Sequence, residues 1–162
     1  MMIARTNDQN HRTMKNNLYP KFLLTLAISF VIMYCVMFLN VASVSQIHLS
    51  LNRTYMTLLM VSPMAVLMLL MMGHMYPNKQ RNRAIMITSV TVFAAVLFGL
   101  RAQVSIGDVQ YMEAMIPHHS SAILTSGAAD LQDPEVKKLA EDIIKAQEQE
   151  IAQMEAMLTR LR

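Results

Sequence analysis

Three long runs of apolar residues without a charged side chain constrain the fold most strongly. They are "FLLTLAISFVIMYCVMFL" (22–39), "MTLLMVSPMAVLMLLMM" (56–72) and "AIMITSVTVFAAVLFGL" (84–100). Each run approaches the roughly 20 residues that a helix needs to cross a bilayer, and a charge near mid-membrane would cost about 2.5 to 3.5 kcal/mol. We therefore expect an all-α chain with three transmembrane helices rather than three buried helices of a soluble domain.

The positive residues beside these runs predict how the chain crosses the membrane. Four Lys or Arg residues precede the first run and three lie between the second and the third, whereas the 40–53 connection has only Arg53. Short loops rich in Lys and Arg remain in the cytoplasm. The N-terminus and the 73–83 loop are thus expected there, with residues 40–53 and the C-terminal segment outside. The expected location is the inner (plasma) membrane of a bacterium.

The distribution of charge divides the chain into regions. Residues 1–100 carry eight Lys or Arg and one acidic residue, whereas residues 101–162 carry six basic and ten acidic residues. The basic balance belongs to the membrane flanks, so it gives no reason to expect nucleic-acid binding. The single cysteine, Cys35, excludes a disulfide framework within one chain. We expect a flexible cytoplasmic N-terminus over 1–20, a membrane domain over 21–100 and an extracytoplasmic domain over 101–162.

The last third of the chain has the periodicity of two amphipathic helices, one from about Asp108 to Ala129 and one from Pro134 to Leu161. Asp133 as an N-cap and proline at the first helical position are typical of a helix start. A single pair of helices buries little core, so units of this kind usually need a metal or a partner. We expect this hairpin to complete a four-helix bundle by homo-oligomerisation.

The first of these helices contains "YMEAMIPHHSSAI", residues 111–123, in which methionine and histidine are concentrated. At 100° per residue, Met112, Met115 and His119 fall within about 60° on one face, and His118 lies beside Met115. Thioether sulfur favours Cu(I), or Ag(I) by the same softness, and imidazole accepts several transition metals. The set therefore predicts copper rather than magnesium or calcium.

The second helix ends in "QMEAML", where Met154 and Met157 are again three residues apart. In an antiparallel hairpin these two thioethers could face the first set and complete a methionine-rich pocket. Methionines at helical spacing are also ordinary core residues. The spacing alone leaves both interpretations open.

Several of these residues carry a resemblance to a known family. Asp108, Tyr111, "MIPHH" (115–119) and "DPEVKKLAEDIIKAQEQEIAQMEAML" resemble the ferritin-like family called domain of unknown function 305 over about residues 106–158. The resemblance implies a helical bundle, with copper binding through Met and His residues in the exported, CopM-like members. The ligands it implies here are Met112, Met115, His118, His119 and Met154, with Met157 weaker. Leu124 and Thr125 stand where members often have an acidic residue and a methionine, so one customary methionine is missing.

The second apolar run and the residues that follow it contain a further methionine stripe. Its residues lie on a helical arc of about 80° that holds Met60, Met64, Met68, Met71 and Met75. We call these five the ladder methionines. Such a face could pass soft cations, and the Met-x-x-x-Met spacing is reminiscent of three-span copper transporters, although the predicted orientation is opposite. Methionine also packs helices in lipid, so the stripe has an ordinary structural interpretation.

Together these patterns predict a membrane-anchored extracytoplasmic binding protein for Cu(I) or a related soft ion, acting in copper handling or resistance. Its expected partners are membrane lipids, a second copy of the chain and copper-handling proteins. Two alternatives remain open: a metal permease that uses the ladder methionines, and a metal-free membrane assembly module. An enzyme is not expected, because the sequence contains neither the Glu-x-x-His pairs of di-iron oxidases nor His-Glu-x-x-His.

Overall fold

The computed structural model describes residues 18–162, and every regular element in that range is helical. Five α-helices follow one another in this range: α1 (Leu18–Val36), α2 (Leu51–Met71), α3 (Lys79–Arg101), α4 (Asp108–Ala128) and α5 (Pro134–Leu161). Short 3₁₀ turns, Val44–Gln46 and Gly73–Met75, precede and follow α2. The all-α class predicted from the sequence is confirmed.

The first three helices coincide with the three apolar runs. They have 19, 21 and 23 residues, and each is long and apolar enough to cross a membrane. Each begins before its apolar run, and α1 for instance starts at Leu18 rather than Phe22, because the flanking residues extend the helical hydrogen bonding. Residues 18–20 of the segment predicted to be flexible therefore belong to α1, and the rest of that segment lies outside the described residues.

One compact unit comprises residues 18–33 and 55–102 of the described chain. In this unit a buried cluster packs the ends of the helices together. We call it the aromatic cluster after its three aromatic residues, and its buried members are Tyr19, Phe22, Ala65, Leu69 and Tyr76. The Tyr19 hydroxyl donates a hydrogen bond of 2.8 Å to Asn82 Oδ1, so the phenol group has a partner where α1 meets α3. Away from this cluster most side chains of the three helices are exposed, as expected of surfaces that contact lipid.

The other compact unit comprises residues 34–54 and 103–162. Here α4 and α5 pack as an antiparallel hairpin around a buried core of Met112, Ile116, Ile151, Met154 and Leu158. The side chain of Asp133 accepts hydrogen bonds from the amides of Glu135 and Val136, at 2.9 and 3.0 Å. The helix start predicted at Asp133 is therefore confirmed, and its cap satisfies two amides that would otherwise lack partners.

Residues 37–50, which we call the strap, connect α1 to α2 and pack against α4 within this second unit. Three hydrogen bonds join the strap and the first α2 amide to α4: Ala42 N–H to Ser120 Oγ at 2.7 Å, Asn40 Nδ2 to Ser121 Oγ at 2.8 Å, and Leu51 N–H to Gln110 Oε1 at 2.8 Å. The hairpin and the connection between the first two candidate spans therefore form one packed body.

Candidate metal site

A cleft of about 370 Å³ opens between α4 and α5 and contains soft metal ligands from both helices. Its lining consists of Tyr111, Met115 and His119 from α4 and of Glu150, Gln153, Met154 and Met157 from α5. Three thioethers and one imidazole therefore share one space. We call Met115, Met154 and Met157 the cleft methionines.

The sequence spacing explains why these side chains meet. Met115 and His119 are four residues apart, and Met154 and Met157 are three apart, so each pair lies on one face of its helix. The two helices contact each other through Ile116, which is fully buried, and Ile151, which is 4% exposed. This packing fixes how each helix is rotated about its own axis. As a result, the Met115 and His119 face of α4 and the Met154 and Met157 face of α5 both border the cleft.

His119 is held in a defined orientation at the cleft wall. Its ring nitrogen Nδ1 lies 2.9 Å from the carbonyl oxygen of Met115. Because a carbonyl only accepts hydrogen bonds, Nδ1 carries the proton and donates it. Histidine ligands commonly donate one N–H to a carbonyl or carboxylate in this way, which leaves the other nitrogen for the metal. In His119 that nitrogen is Nε2.

Glu150 contacts the same nitrogen. Its Oε2 lies 2.6 Å from His119 Nε2, within hydrogen-bonding distance. The imidazole is 10% exposed and the carboxylate side chain 52% exposed, so the histidine is anchored while Glu150 reaches it from the solvent side. A metal ion on Nε2 would have to break this contact and move the carboxylate aside or share it.

Glu150 is absent from the ligands that the sequence predicts, because a glutamate on an amphipathic helix is usually a solvated charge. A signal was nevertheless present. Glu150, Met154 and Met157 follow the spacing i, i+4 and i+7, which places the carboxylate on the same face as the two thioethers. The periodicity could thus have included Glu150 in the candidate site.

Two predicted ligands lie elsewhere. Met112 is 5% exposed and belongs to the hairpin core, and His118 is exposed and does not line the cleft. The rings of His118 and His119 have centroids 6.1 Å apart with 65° between their planes. Within residues 18–162 no three His, Cys, Asp or Glu side chains form a metal-holding group. A metal site in the cleft would therefore depend on thioether sulfur.

The ladder methionines do not share one environment. Met60 and Met71 are 47% and 73% exposed, Met64 lines an apolar groove between α2 and α3, Met68 packs against the aromatic cluster, and Met75 lies in the 3₁₀ turn beyond α2. Because α2 ends at Met71, the continuous helical face that the spacing suggested stops there. A conduit along this stripe would need side chains from another copy.

Comparison with known proteins shows the family to which this chain belongs. The family described as Domain of unknown function (DUF305) matches residues 68–161, from the end of α2 through α5. Uncharacterized protein L153 of Acanthamoeba polyphaga mimivirus is 40% identical over 119 residues, which cover 72% of this chain and 76% of that protein. No solved structure matches. The chain belongs to the DUF305 family, and the resemblance seen in its sequence is confirmed.

Proposed function

We propose that this protein is a membrane-anchored binding protein that captures Cu(I), or a related soft ion such as Ag(I), in the cleft between α4 and α5. The observation that carries the proposal is the meeting of the cleft methionines with His119 in one space. Its mechanism is coordination without turnover, and its role is copper handling or resistance. A copper-handling protein would deliver or receive the ion.

The donor chemistry supports a soft, monovalent ion. Thioether sulfur is a neutral soft ligand that suits Cu(I), and imidazole nitrogen is compatible with it. The carboxylate of Glu150 is a harder donor, which suits Zn²⁺ or Cu²⁺ better than Cu(I). We therefore assign the thioethers and Nε2 of His119 as ligands and regard Glu150 as the group that occupies Nε2 until the metal arrives.

The contacts of the strap support an extracytoplasmic position for the cleft. Because the strap and α4 are hydrogen-bonded to each other, they must lie on the same side of any membrane that the first three helices cross. The strap follows the first span and has few basic residues, which favours the outer side. In this proposal the cleft faces the outside of the inner (plasma) membrane of a bacterium.

Exposed apolar side chains on the hairpin support self-association. On α5, Val136, Leu139 and Leu161 are 45%, 59% and 46% exposed, and Tyr111 on α4 is 53% exposed. A second hairpin that covered them would complete the four-helix bundle proposed here, and it would also add core to a small unit. Sedimentation in detergent measures the oligomeric state of the full chain. We expect an assembly for the unmodified chain and its loss in a Leu139→Glu variant.

The two alternative functions, a permease and a metal-free assembly module, require different features of the chain. A permease would require the ladder methionines to line one path, whereas those of a single chain lie in a groove, in a core and on an exposed surface. A metal-free assembly module would need only the hairpin surface and would not respond to copper. The cleft donors favour the binding function over both.

The proposal is tested by titrating the full chain in detergent micelles with Cu(I) against a competing chelator. We expect tight binding that is lost when Met115, His119 and Met154 are replaced together by leucine, alanine and leucine. A matched control replaces three ladder methionines, Met60, Met64 and Met68, by leucine and should retain binding. Unchanged binding after loss of the cleft donors would refute the assignment, and no binding by any variant would favour the assembly module.

A further inference from the structure

One turn of α4 contacts both the cleft and the strap. His119 lines the cleft, while its neighbour Ser120, which is fully buried, accepts the hydrogen bond of the Ala42 amide. Ser121 accepts the second bond, from the side chain of Asn40. The cleft and the strap therefore both involve the same turn of α4, the cleft through His119 and the strap through Ser120 and Ser121.

This turn has fewer internal restraints than the rest of α4. Pro117 lies inside the helix and has no N–H, so the carbonyl group of Glu113, four residues earlier, lacks its usual helical partner. Restraint from outside the helix consequently matters more here than it would in an uninterrupted helix. The strap supplies such restraint through Ser120 and Ser121, and a metal ion on His119 would supply more.

A second contact extends the connection to the beginning of α2. The side chain of Gln110 accepts a hydrogen bond from the amide of Leu51, the first residue of α2, and donates one of 2.8 Å to Glu113 Oε2. Glu113 also pairs with Arg162 at the end of α5. The first amides of a helix have no partner within it, so α4 provides a cap that α2 would otherwise obtain from water or from its own strap.

We propose that the strap couples the metal cleft to the N-terminal end of α2: metal binding at His119 tightens the strap, and the intact strap strengthens metal binding. The inference rests on the proposed function of the cleft. Both contacts restrict the Pro117–Ser121 turn, so whichever forms first lowers the conformational entropy that the other must remove. Such coupling is reciprocal, because each contact changes the equilibrium of the other by the same factor.

The Ala42 and Leu51 amides provide direct reporters, since each donates one of the coupling hydrogen bonds. Hydrogen exchange at these amides is measured by NMR on the full chain in micelles, with and without Cu(I). We expect exchange to slow by about 5-fold or more on loading, the lower range of measured couplings. Asn40→Ala and Ser120→Ala should weaken Cu(I) binding by the corresponding factor. Asn40 is exposed, so that variant tests the coupling even if the buried Ser120→Ala variant fails to fold.

Thr125→Ala is the matched control, because the bond that its hydroxyl donates within residues 18–162 stays inside α4, to the carbonyl of Ser121. It should leave Cu(I) affinity and Ala42 exchange unchanged. Tight Cu(I) binding with unaltered exchange at Ala42 and Leu51 would overturn the coupling and leave the proposed function intact. Absence of Cu(I) binding by the unmodified chain would overturn both.

Discussion

Both the cleft methionines and the ladder methionines were picked out by helical spacing, three residues between Met154 and Met157 and three or four along the ladder. The two sets nevertheless differ in what surrounds them. The cleft methionines from two helices meet one another and His119 in a single space. The ladder methionines all belong to α2 or to the turn that follows it, and they are distributed among a groove, a packed core and exposed surface. Helical periodicity shows which residues share one face of a helix. Those residues form a site only where a second helix adds further ligands next to that face.

This difference also separates ligands from packing residues within the hairpin. Met112 and Met115 are only three residues apart, but α5 covers Met112 and leaves Met115 at the cleft edge. The same rotation buries His119 beside Glu150 and leaves His118 exposed. Each pair thus provides a matched comparison in which one member should affect metal binding and the other should not.

The largest effect is expected from the histidine pair. Replacing His119 by alanine removes the nitrogen ligand of the proposed site, and Cu(I) affinity should fall by about 100-fold or more, beyond the effect of losing groups that merely orient a ligand. His118→Ala should leave the affinity close to that of the unmodified chain. Competition with a Cu(I) chelator measures both. Equal losses in the two variants would mean that the ring nitrogens act together and that the cleft geometry is not decisive.

The methionine pair should give the next largest effect. Met115→Leu and Met157→Leu each remove a thioether while nearly preserving side-chain volume, so stability should change by less than about 1.5 kcal/mol. Cu(I) affinity should fall by about 10-fold in each case, the low end of the range for groups around a metal. Met112→Leu is the control in the hairpin core, and binding should not change. A loss of affinity in Met112→Leu equal to that in Met115→Leu would contradict the assignment.

Glu150 should affect selectivity more than Cu(I) affinity. Glu150→Gln removes a carboxylate that Zn²⁺ can use as a ligand but that Cu(I) does not favour. We expect Zn²⁺ binding to fall by about 10-fold, as for other losses near a metal, with a smaller change for Cu(I). Parallel competition titrations with the two ions make the comparison. If Cu(I) binding fell as much as Zn²⁺ binding, Glu150 would have to be counted among the Cu(I) ligands.

The smallest effect is expected in α2. Exchanging Met60, Met64 and Met68 for leucine conserves volume and should cost less than about 1.5 kcal/mol of stability at each position. Cu(I) binding should remain unchanged, and so should metal uptake by vesicles that contain the protein. Loss of uptake with binding retained would favour the permease and show that the ladder methionines converge in an assembly of several chains.

Much of the fold follows from local signals in the sequence. Uncharged apolar runs predict α1 to α3, and Asp133 with Pro134 predicts the start of α5, because these features act within one helix or its first turn. The family resemblance carried in "MIPHH" is likewise confirmed. Helix ends were less predictable: the apolar run extends to Leu39, whereas α1 ends at Val36.

Contacts between distant residues could not be predicted in the same way. His119 and Glu150 are 31 residues apart, and Ala42 and Ser120 are 78 apart. No periodicity within one helix indicates such pairs, since they depend on how helices rotate against each other and on where a connecting segment folds back. The strap, the partner of His119 and the burial of Met112 are therefore properties that the structure adds to the sequence.

Binding of Cu(I) by thioethers and His119 together in one cleft is the feature on which the other predictions depend. X-ray absorption at the copper edge, measured on the Cu(I)-loaded full chain and on its His119→Ala variant, examines the ligands directly. We expect sulfur and imidazole scattering in the unmodified chain, with the imidazole contribution lost in the variant. Coordination by oxygen and nitrogen alone, or an imidazole signal that persists after His119 is replaced, would contradict it.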